Sequence, residues 1–578
     1  MSFPLLAVNL LAAVALAAVM VAAGARARRL ARLPLPRGLR FPAELLVGAW
    51  LLGGAVLLLG LAGLLRPWTL ATVTVLFALA GRWRRLPRLD TAAAPLAGTV
   101  LLLPVAFAPP FFYDALVYHL ALPWQMLQEG AVRAHGEDLF STFPPLAQLV
   151  AAPPLAFGLD RVPALLHAVA IVAAGAALVA LARGLGAPRR LAALAAFCLP
   201  LLPSHALVPG LPAAEGWTVA AIGTALAVAL ARHVRPRTAA LAGLLAGIGV
   251  AARLQGLAWA AGVVVVTSLR ARRPVVAGAA ALAAVAAGAA PWWLKNAVLL
   301  ASPLAPLGWR REGVETLWRD AGSLAAATPT PGAVVAQLAG ALPPLAAYLA
   351  PLALAGVLVL ARSRDRRRWW LAAAVVGGTL AWATSGVLPR FLMPTELVLL
   401  GLVAAAPTRG ARWASGLALG SAAALGLAVN GAELARLARL DAFRTPEVGV
   451  ARQLVVNDPA PAFAAARVLP AGSRALFVGE ARGFAFPHRF AAPSQHDVSP
   501  LCEPLERGGA AAARAWLAAG SYTHLLVNRG ELARLAPAYP VAPWRSPEGH
   551  RQFAALLREL GPPVVAVHGV EVYALTKP

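Results

Sequence analysis

The sequence predicts a polytopic α-helical membrane protein of roughly 12 to 14 transmembrane helices, followed by a small α/β domain outside the membrane. Three observations carry this. Hydrophobic residues make up 60% of the 578 and charged ones only 13%, with a mean hydropathy of +0.70, which is more apolar surface than a soluble fold can bury. Apolar stretches alternate with short arginine clusters along most of the chain. Beyond about residue 445 the texture changes to short apolar runs between amphipathic segments, the pattern of a folded α/β domain.

By hydropathy the spans fall at about 4–24, 43–66, 68–81, 95–110, 162–182, 190–203, 213–231 and 238–252, then at about 255–269, 274–290, 343–361, 370–388, 392–406 and 411–430. The run 5–23 has its basic residues after the apolar stretch, so it reads as a retained first helix with its N-terminus outside rather than a signal peptide. Arginines collect at Arg26 to Arg40, Arg82 to Arg88, Arg183 to Arg190, Arg232 to Arg237, Arg270 to Arg273, Arg362 to Arg368 and Arg409 to Arg412. With each cluster facing the cytoplasm, as the positive-inside rule requires, three long segments face outward: 111–161, 291–342 and 431–578. The chain thus divides into N-terminal helices over 1–94, a transmembrane core over 95–430 and a C-terminal domain over 431–578. The arginine- and alanine-heavy composition fits a bacterial inner membrane, with that last domain in the periplasm.

The net charge of +26 could signal nucleic-acid binding, but the collection of arginines in short clusters between apolar stretches argues for the lipid bilayer instead. Only two cysteines occur, Cys198 in an apolar run and Cys502 in the C-terminal domain, so no disulfide framework is expected. In that domain 475–478 and 524–527 read as buried strands, 510–519 and 551–560 as helices, and 564–567 with 570–575 as a closing hairpin. The outer loops are rich in proline and aromatics, which predicts short helices at the membrane surface.

The most informative stretch is Phe111-Phe112-Tyr113-Asp114-Ala115-Leu116-Val117-Tyr118-His119-Leu120-Ala121-Leu122-Pro123. A carboxylate among aromatics at a membrane surface is costly to desolvate unless it pairs with a base, binds a cation or takes a proton. Asp114 also suits the N-cap of an interfacial helix, and the two roles are compatible. Glu215 opens another helix on the outer side, where a first-turn acid suits the helix dipole. Gly479-Glu480-Ala481-Arg482-Gly483 lacks the spacing of a phosphate loop.

This stretch, followed by Glu129-Gly130 and Phe143-Pro144-Pro145-Leu146, resembles the first periplasmic loop of bacterial GT-C glycosyltransferases of the RgtA/B/C/D-like and dolichyl-phosphate-mannose-protein mannosyltransferase-like groups. Three further pieces resemble the family in the same order. They are the small-residue helix from Gly243 that closes with Arg253-Leu254-Gln255-Gly256-Leu257, the loop Pro291-Trp292-Trp293-Leu294-Lys295-Asn296 with Ser302-Pro303-Leu304-Ala305-Pro306, and Pro389-Arg390-Phe391-Leu392-Met393-Pro394. The family core begins with the helix that delivers the loop aspartate; here about three apolar spans, from residue 4 to about 81, precede that helix.

The resemblance implies a GT-C-like fold and an inverting transfer of a sugar from a polyprenyl-phosphate donor to an envelope glycan, lipid or protein on the outer face. Asp114 aligns with the family's loop aspartate, as general base or as ligand of a divalent cation, Mg2+ or Mn2+. Arg253, Lys295 and Arg390 are the candidates to hold the donor phosphate, Glu215 a second acid of the site, and His119 a further metal ligand. His135, Glu137 and Asp138 fit a solvated turn better than a metal site. Two other functions compete: a transporter or flippase of lipid-linked material, which calls for ionisable groups inside the spans, broken helices and matching halves, and an inactive scaffold whose C-terminal domain binds a partner.

Overall fold

The computed structural model describes residues 3–33, 35–81, 83, 91–133, 138–231, 233–307, 331–384, 388–440 and 454–575. Among these, five helices are long and apolar enough to cross a membrane: Leu6–Leu30, Arg37–Leu61, Val162–Gly184, Pro343–Ala361 and Arg409–Arg439. A sixth crossing is formed if Pro274–Gly288 and Ala290–Leu300, bent by 60° at their junction, count as one broken span. Most of the other expected spans are shorter apolar helices, such as Glu215–Ala229, Pro236–Ala252 and Gly256–Arg270.

Of the roughly 12 to 14 transmembrane helices expected, several of them short, five or six among the described residues reach full crossing length, and prolines account for some of the short ones. The expected span 95–110 divides into Ala93–Val100 and Leu103–Phe107, with Pro104 in the first turn of the second piece. The span at 190–203 stops as an α-helix at Cys198, where Pro200 and Pro203 follow in 3-10 turns. Each proline removes a backbone donor and crowds the preceding turn, so a continuous apolar run becomes two helices or a helix and a coil.

Val162–Gly184 runs through the middle of the bundle, 83% buried, whereas Pro343–Ala361 and Arg409–Arg439 are 33% buried and turn Leu354 and Leu417 outward as a lipid-facing surface would. Pro236–Ala252 packs closely on Pro274–Gly288. A Cβ on Gly243 would stand 2.2 Å from Ala281 O, and one on Gly247 2.3 Å from Val285 O, so glycine four residues apart is what allows this backbone approach.

The C-terminal domain is a five-stranded sheet in the order β2-β1-β3-β5-β4, with β1 at Arg474–Val478, β2 at Arg489–Ala491, β3 at His524–Asn528, β4 at Val565–Val567 and β5 at Val570–Ala574. β1 runs parallel to β2 and β3, while β5 runs antiparallel to β3 and closes a hairpin with β4. The helices Cys502–Ala519 and Pro547–Leu560 pack together, and Leu505, Leu517 and Leu556 share a core with Leu476 and Leu525 of the sheet. Burial on both faces is why β1 and β3 read as unbroken apolar runs. Both cysteines are free and buried.

This domain rests on the loop that follows Asp114. Trp124 and Gln128 donate side-chain hydrogen bonds to Phe486 O at 2.8 and 2.6 Å, and Gln125 donates to Phe490 O at 2.9 Å. Phe484 N donates to Leu116 O at 3.2 Å, and Leu139 N to Asp497 Oδ2 at 3.0 Å.

Candidate active site

After Pro109 and Pro110 end one helical piece, the chain turns through Asp114 into a π-helical turn, Ala115–His119, closed by Leu120 N donating to Ala115 O at 2.8 Å. Such wide turns cost hydrogen-bond geometry and are frequent at functional sites. Asp114 stands at the cap position, yet its side chain accepts no backbone N–H there. Instead Oδ2 accepts from Arg390 Nη2, and from Tyr118 Oη at 3.0 Å. The capping role weighed for Asp114 is thus not the one its carboxylate performs.

Arg390 comes from the 3-10 turn Pro389–Leu392, and its Nε lies 3.1 Å from Glu215 Oε1. The same Oε1 accepts from Arg253 Nη1 at 2.7 Å, while Oε2 accepts from Ala214 N at 3.1 Å. Arg253 ends the helix Pro236–Ala252 in an extended conformation, φ −160° and ψ 140°, which swings its side chain off the helix axis. The result is a continuous chain Asp114, Arg390, Glu215, Arg253, drawn from four separate segments. Aromatic faces wall it: Arg253 Cζ lies 4.2 Å from the Phe391 ring centre, and Arg390 Cζ 5.0 Å from that of Phe112.

Opposite charges balance within the chain, but its members differ in access. Glu215 is 4% exposed at its side chain, whereas Asp114 and Arg390 keep 18% and 19%. The accessible end of the cluster therefore presents one carboxylate and one guanidinium.

Lys295 is not part of this cluster. Its Nζ donates to Ser141 O, beside Asn296 Nδ2 donating to Thr142 O at 2.9 Å, so the Ala290–Leu300 helix is laced to the first loop through backbone carbonyls. His119 is buried at 4% exposure with neither ring nitrogen hydrogen-bonded, and burial pushes its pKa down to about 3. It is a neutral imidazole at neutral pH.

Among the described residues no three His, Cys, Asp or Glu stand together as a metal site. Asp114 and Glu215 each face arginine, so the reading of Asp114 and His119 as ligands of Mg2+ or Mn2+ finds no third ligand there, and no step is routed through a cation. His135 and Glu137 lie outside the described residues; Asp138 caps the 3-10 turn Leu139–Thr142 by accepting from Phe140 N.

Sequence reasoning gave no role to Tyr118, although its position four residues after Asp114 places both on one helical face. It also missed Tyr113, whose ring lies under Arg482 of the C-terminal domain at 5.6 Å, and His496, which approaches Phe140 at 6.0 Å between ring centres.

No protein-family model matches the chain, and no curated protein does. Solved structures do. The chain is similar to ArnT from Cupriavidus metallidurans bound to undecaprenyl phosphate, at 14% identity over 84% of this chain and 98% of that one, TM-score 0.47. It is similar to the arabinofuranosyltransferase AftD from Mycobacteria, at 16% identity over 86% of this chain and 40% of that one, TM-score 0.47. A third is the Archaeoglobus fulgidus oligosaccharyltransferase in complex with Zn and sulfate, at 12% identity over 78% and 70%, TM-score 0.44. These neighbours are GT-C glycosyltransferases.

Proposed function

We propose that the protein is a GT-C-type membrane glycosyltransferase that moves a sugar from a polyprenyl-phosphate donor to a hydroxyl of an envelope glycan, lipid or protein on the outer face. The observation that carries this reading is the convergence of Asp114, Arg390, Glu215 and Arg253, from four segments distant in sequence, into one linked chain with an accessible carboxylate and guanidinium at its end.

The arrangement suits the chemistry. A donor phosphate entering beside Arg390 and Arg253 competes with Asp114 and Glu215 for their N–H groups, Arg taking phosphate oxygens in bidentate fashion. The Asp114 carboxylate, relieved of Arg390 and still held by Tyr118, is then the base that accepts the acceptor hydroxyl proton. The acceptor oxygen bonds to the anomeric carbon as the bond from that carbon to the phosphate oxygen breaks. One displacement inverts the centre, the electron pair leaves on polyprenyl phosphate, and the arginines stabilise the charge that develops there.

The test is turnover in proteoliposomes with radiolabelled polyprenyl-phosphate sugars. Wild type transfers sugar or hydrolyses donor, and Asp114→Asn lowers the rate by about 10²–10⁴-fold, the usual contribution of a general base, while remaining folded. Wild-type turnover by Asp114→Asn would sink the assignment. Donor movement between leaflets that ignores the mutation, with no turnover, would favour a transporter. Parallel runs with EDTA decide whether a cation takes part.

A further inference from the structure

A second buried polar cluster lies in the bundle, and the proposed chemistry does not use it. Glu396, in the first turn of the helix Met393–Ala404, accepts through Oε1 a hydrogen bond from Tyr348 Oη at 2.5 Å, and its Oε2 stands 3.2 Å from His205 Nδ1. His205 Nε2 lies 2.7 Å from Leu199 O; a carbonyl can only accept, so Nε2 carries a proton, and Nδ1 faces Ser204 Oγ at 2.9 Å. Tyr348, His205 and Glu396 are each 1% exposed. Ionisable groups buried so completely in a membrane-spanning bundle are costly to keep and mark function by default.

Chain connectivity indicates the role. Glu396 follows Arg390 on one continuous turn and helix, Pro389–Leu392 running into Met393–Ala404. His205 precedes Glu215 on an irregular stretch of 3-10 turns, Leu199–Leu201, Pro203–His205 and Val208–Gly210. The same two segments therefore meet twice, Arg390 Nε 3.1 Å from Glu215 Oε1 and His205 Nδ1 3.2 Å from Glu396 Oε2; neither contact is a hydrogen bond, and the second is an attractive ion pair in the imidazolium form of His205. The irregular stretch has no helical ladder of its own to fix it. Outside this tie it is held by Asn430, whose Oδ1 accepts from Leu207 N at 3.0 Å and whose Nδ2 donates to Leu201 O at 2.8 Å.

We propose that Tyr348, Glu396 and His205 are positioning residues: their tie sets where the Arg390 guanidinium stands against the phosphate of the lipid-linked donor. This rests on the reading of Arg390 as a ligand of that phosphate. With the tie cut, the segment before Glu215 and the turn bearing Arg390 shift against each other, and the bidentate geometry at the phosphate is lost.

The test is a double-mutant cycle on the full chain in lipid nanodiscs, read by its affinity for undecaprenyl phosphate. Arg390→Ala and Glu396→Gln each weaken binding by about tenfold, and Glu396→Gln adds less than about twofold in the Arg390→Ala background, because residues that act through one another are not additive. Independent factors that multiply would mean that the cluster supports the bundle without acting through Arg390, and would overturn the proposal, as would wild-type affinity in Glu396→Gln. Should that variant not fold, Tyr348→Phe, which loses one hydroxyl, runs the same cycle with the same two readings. A wild type that does not bind undecaprenyl phosphate, or an Arg390→Ala variant that binds it fully, breaks the donor reading instead and takes this proposal with it.

Discussion

Arg390 and Arg482 are both largely buried among acids, but they spend their hydrogen bonds differently. Arg482, in the C-terminal domain, donates from Nε and Nη2 to the two oxygens of Glu480 at 2.7 Å each, from Nη1 to Val456 O at 2.8 Å and from Nη2 to Asn457 O at 3.0 Å. Its side chain is 3% exposed and that of Glu480 is 0% exposed, with Asn528 Nδ2 donating to the same carboxylate at 2.7 Å. Arg390 is 19% exposed, donates through Nη2 to Asp114, and its Nε makes no hydrogen bond among the described residues despite lying near Glu215. A guanidinium whose donors are all committed to its own fold is a structural fixture. Arg390 leaves its buried Nε without a hydrogen bond and keeps part of its guanidinium exposed, which is what the proposed role of taking a second anion calls for.

The comparison breaks most sharply under substitution. Arg482→Ala strands a buried Glu480 and costs about 3–5 kcal/mol, the usual penalty for opening a buried pair from one side; the C-terminal domain should then melt early or yield to limited proteolysis. Arg390→Ala should behave in the opposite way, losing about 1.5–3 kcal/mol of binding to undecaprenyl phosphate, as for charged hydrogen bonds, while its melting temperature stays near that of wild type. A large fall in melting temperature for Arg390→Ala with unchanged binding would make the two arginines alike.

His119 sharpens the contrast from the side of pH. Burial holds its folded pKa at about 3, while the unfolded chain titrates near the ordinary histidine value of 6.5. Between those values the unfolded state binds the extra proton, so stability falls as pH drops below 6.5, by about 2 kcal/mol at pH 5. Thermal melts at pH 7 and pH 5 should separate in wild type and separate less in His119→Gln. Equal slopes in the two proteins would place the acid sensitivity elsewhere.

The site was legible in the sequence to the extent that its residues carry charge at the ends of apolar runs. Asp114 was visible because a carboxylate among aromatics costs energy without a partner, whereas Glu215, Arg253 and Arg390 were picked out through the family resemblance, and all four meet. Lys295 stood out by the same reasoning, but its partner is the Ser141 carbonyl rather than the cluster, and backbone acceptors leave no mark in a sequence. The strands β1 and β3 and the closing hairpin were readable from their apolar runs, whereas β2 is three residues long, too short to carry a period. Helix lengths were misjudged because hydropathy averages over a window and does not register where Pro104, Pro200 or Pro203 interrupts the backbone ladder. The contact of the C-terminal domain with the Asp114 loop joins positions far apart in the chain, beyond the reach of any local pattern.

That contact has a consequence for how the molecule tolerates change. Trp124, Gln125 and Gln128 all donate to main-chain carbonyls of Phe486 and Phe490, so this part of the docking loop reads the course of the opposing backbone, while Asp497, Arg482 and Phe484 add side-chain contacts to Leu139 N, Tyr113 and Trp124. Within 484–490 the change tolerated without unlatching the domain lies outside Phe484, Phe486 and Phe490, whose rings pack with Trp124 and its neighbours. A grafted domain would dock only if it kept the backbone course at Phe486 and Phe490 together with the Asp497 and Arg482 side chains that meet Leu139 N and the Tyr113 ring.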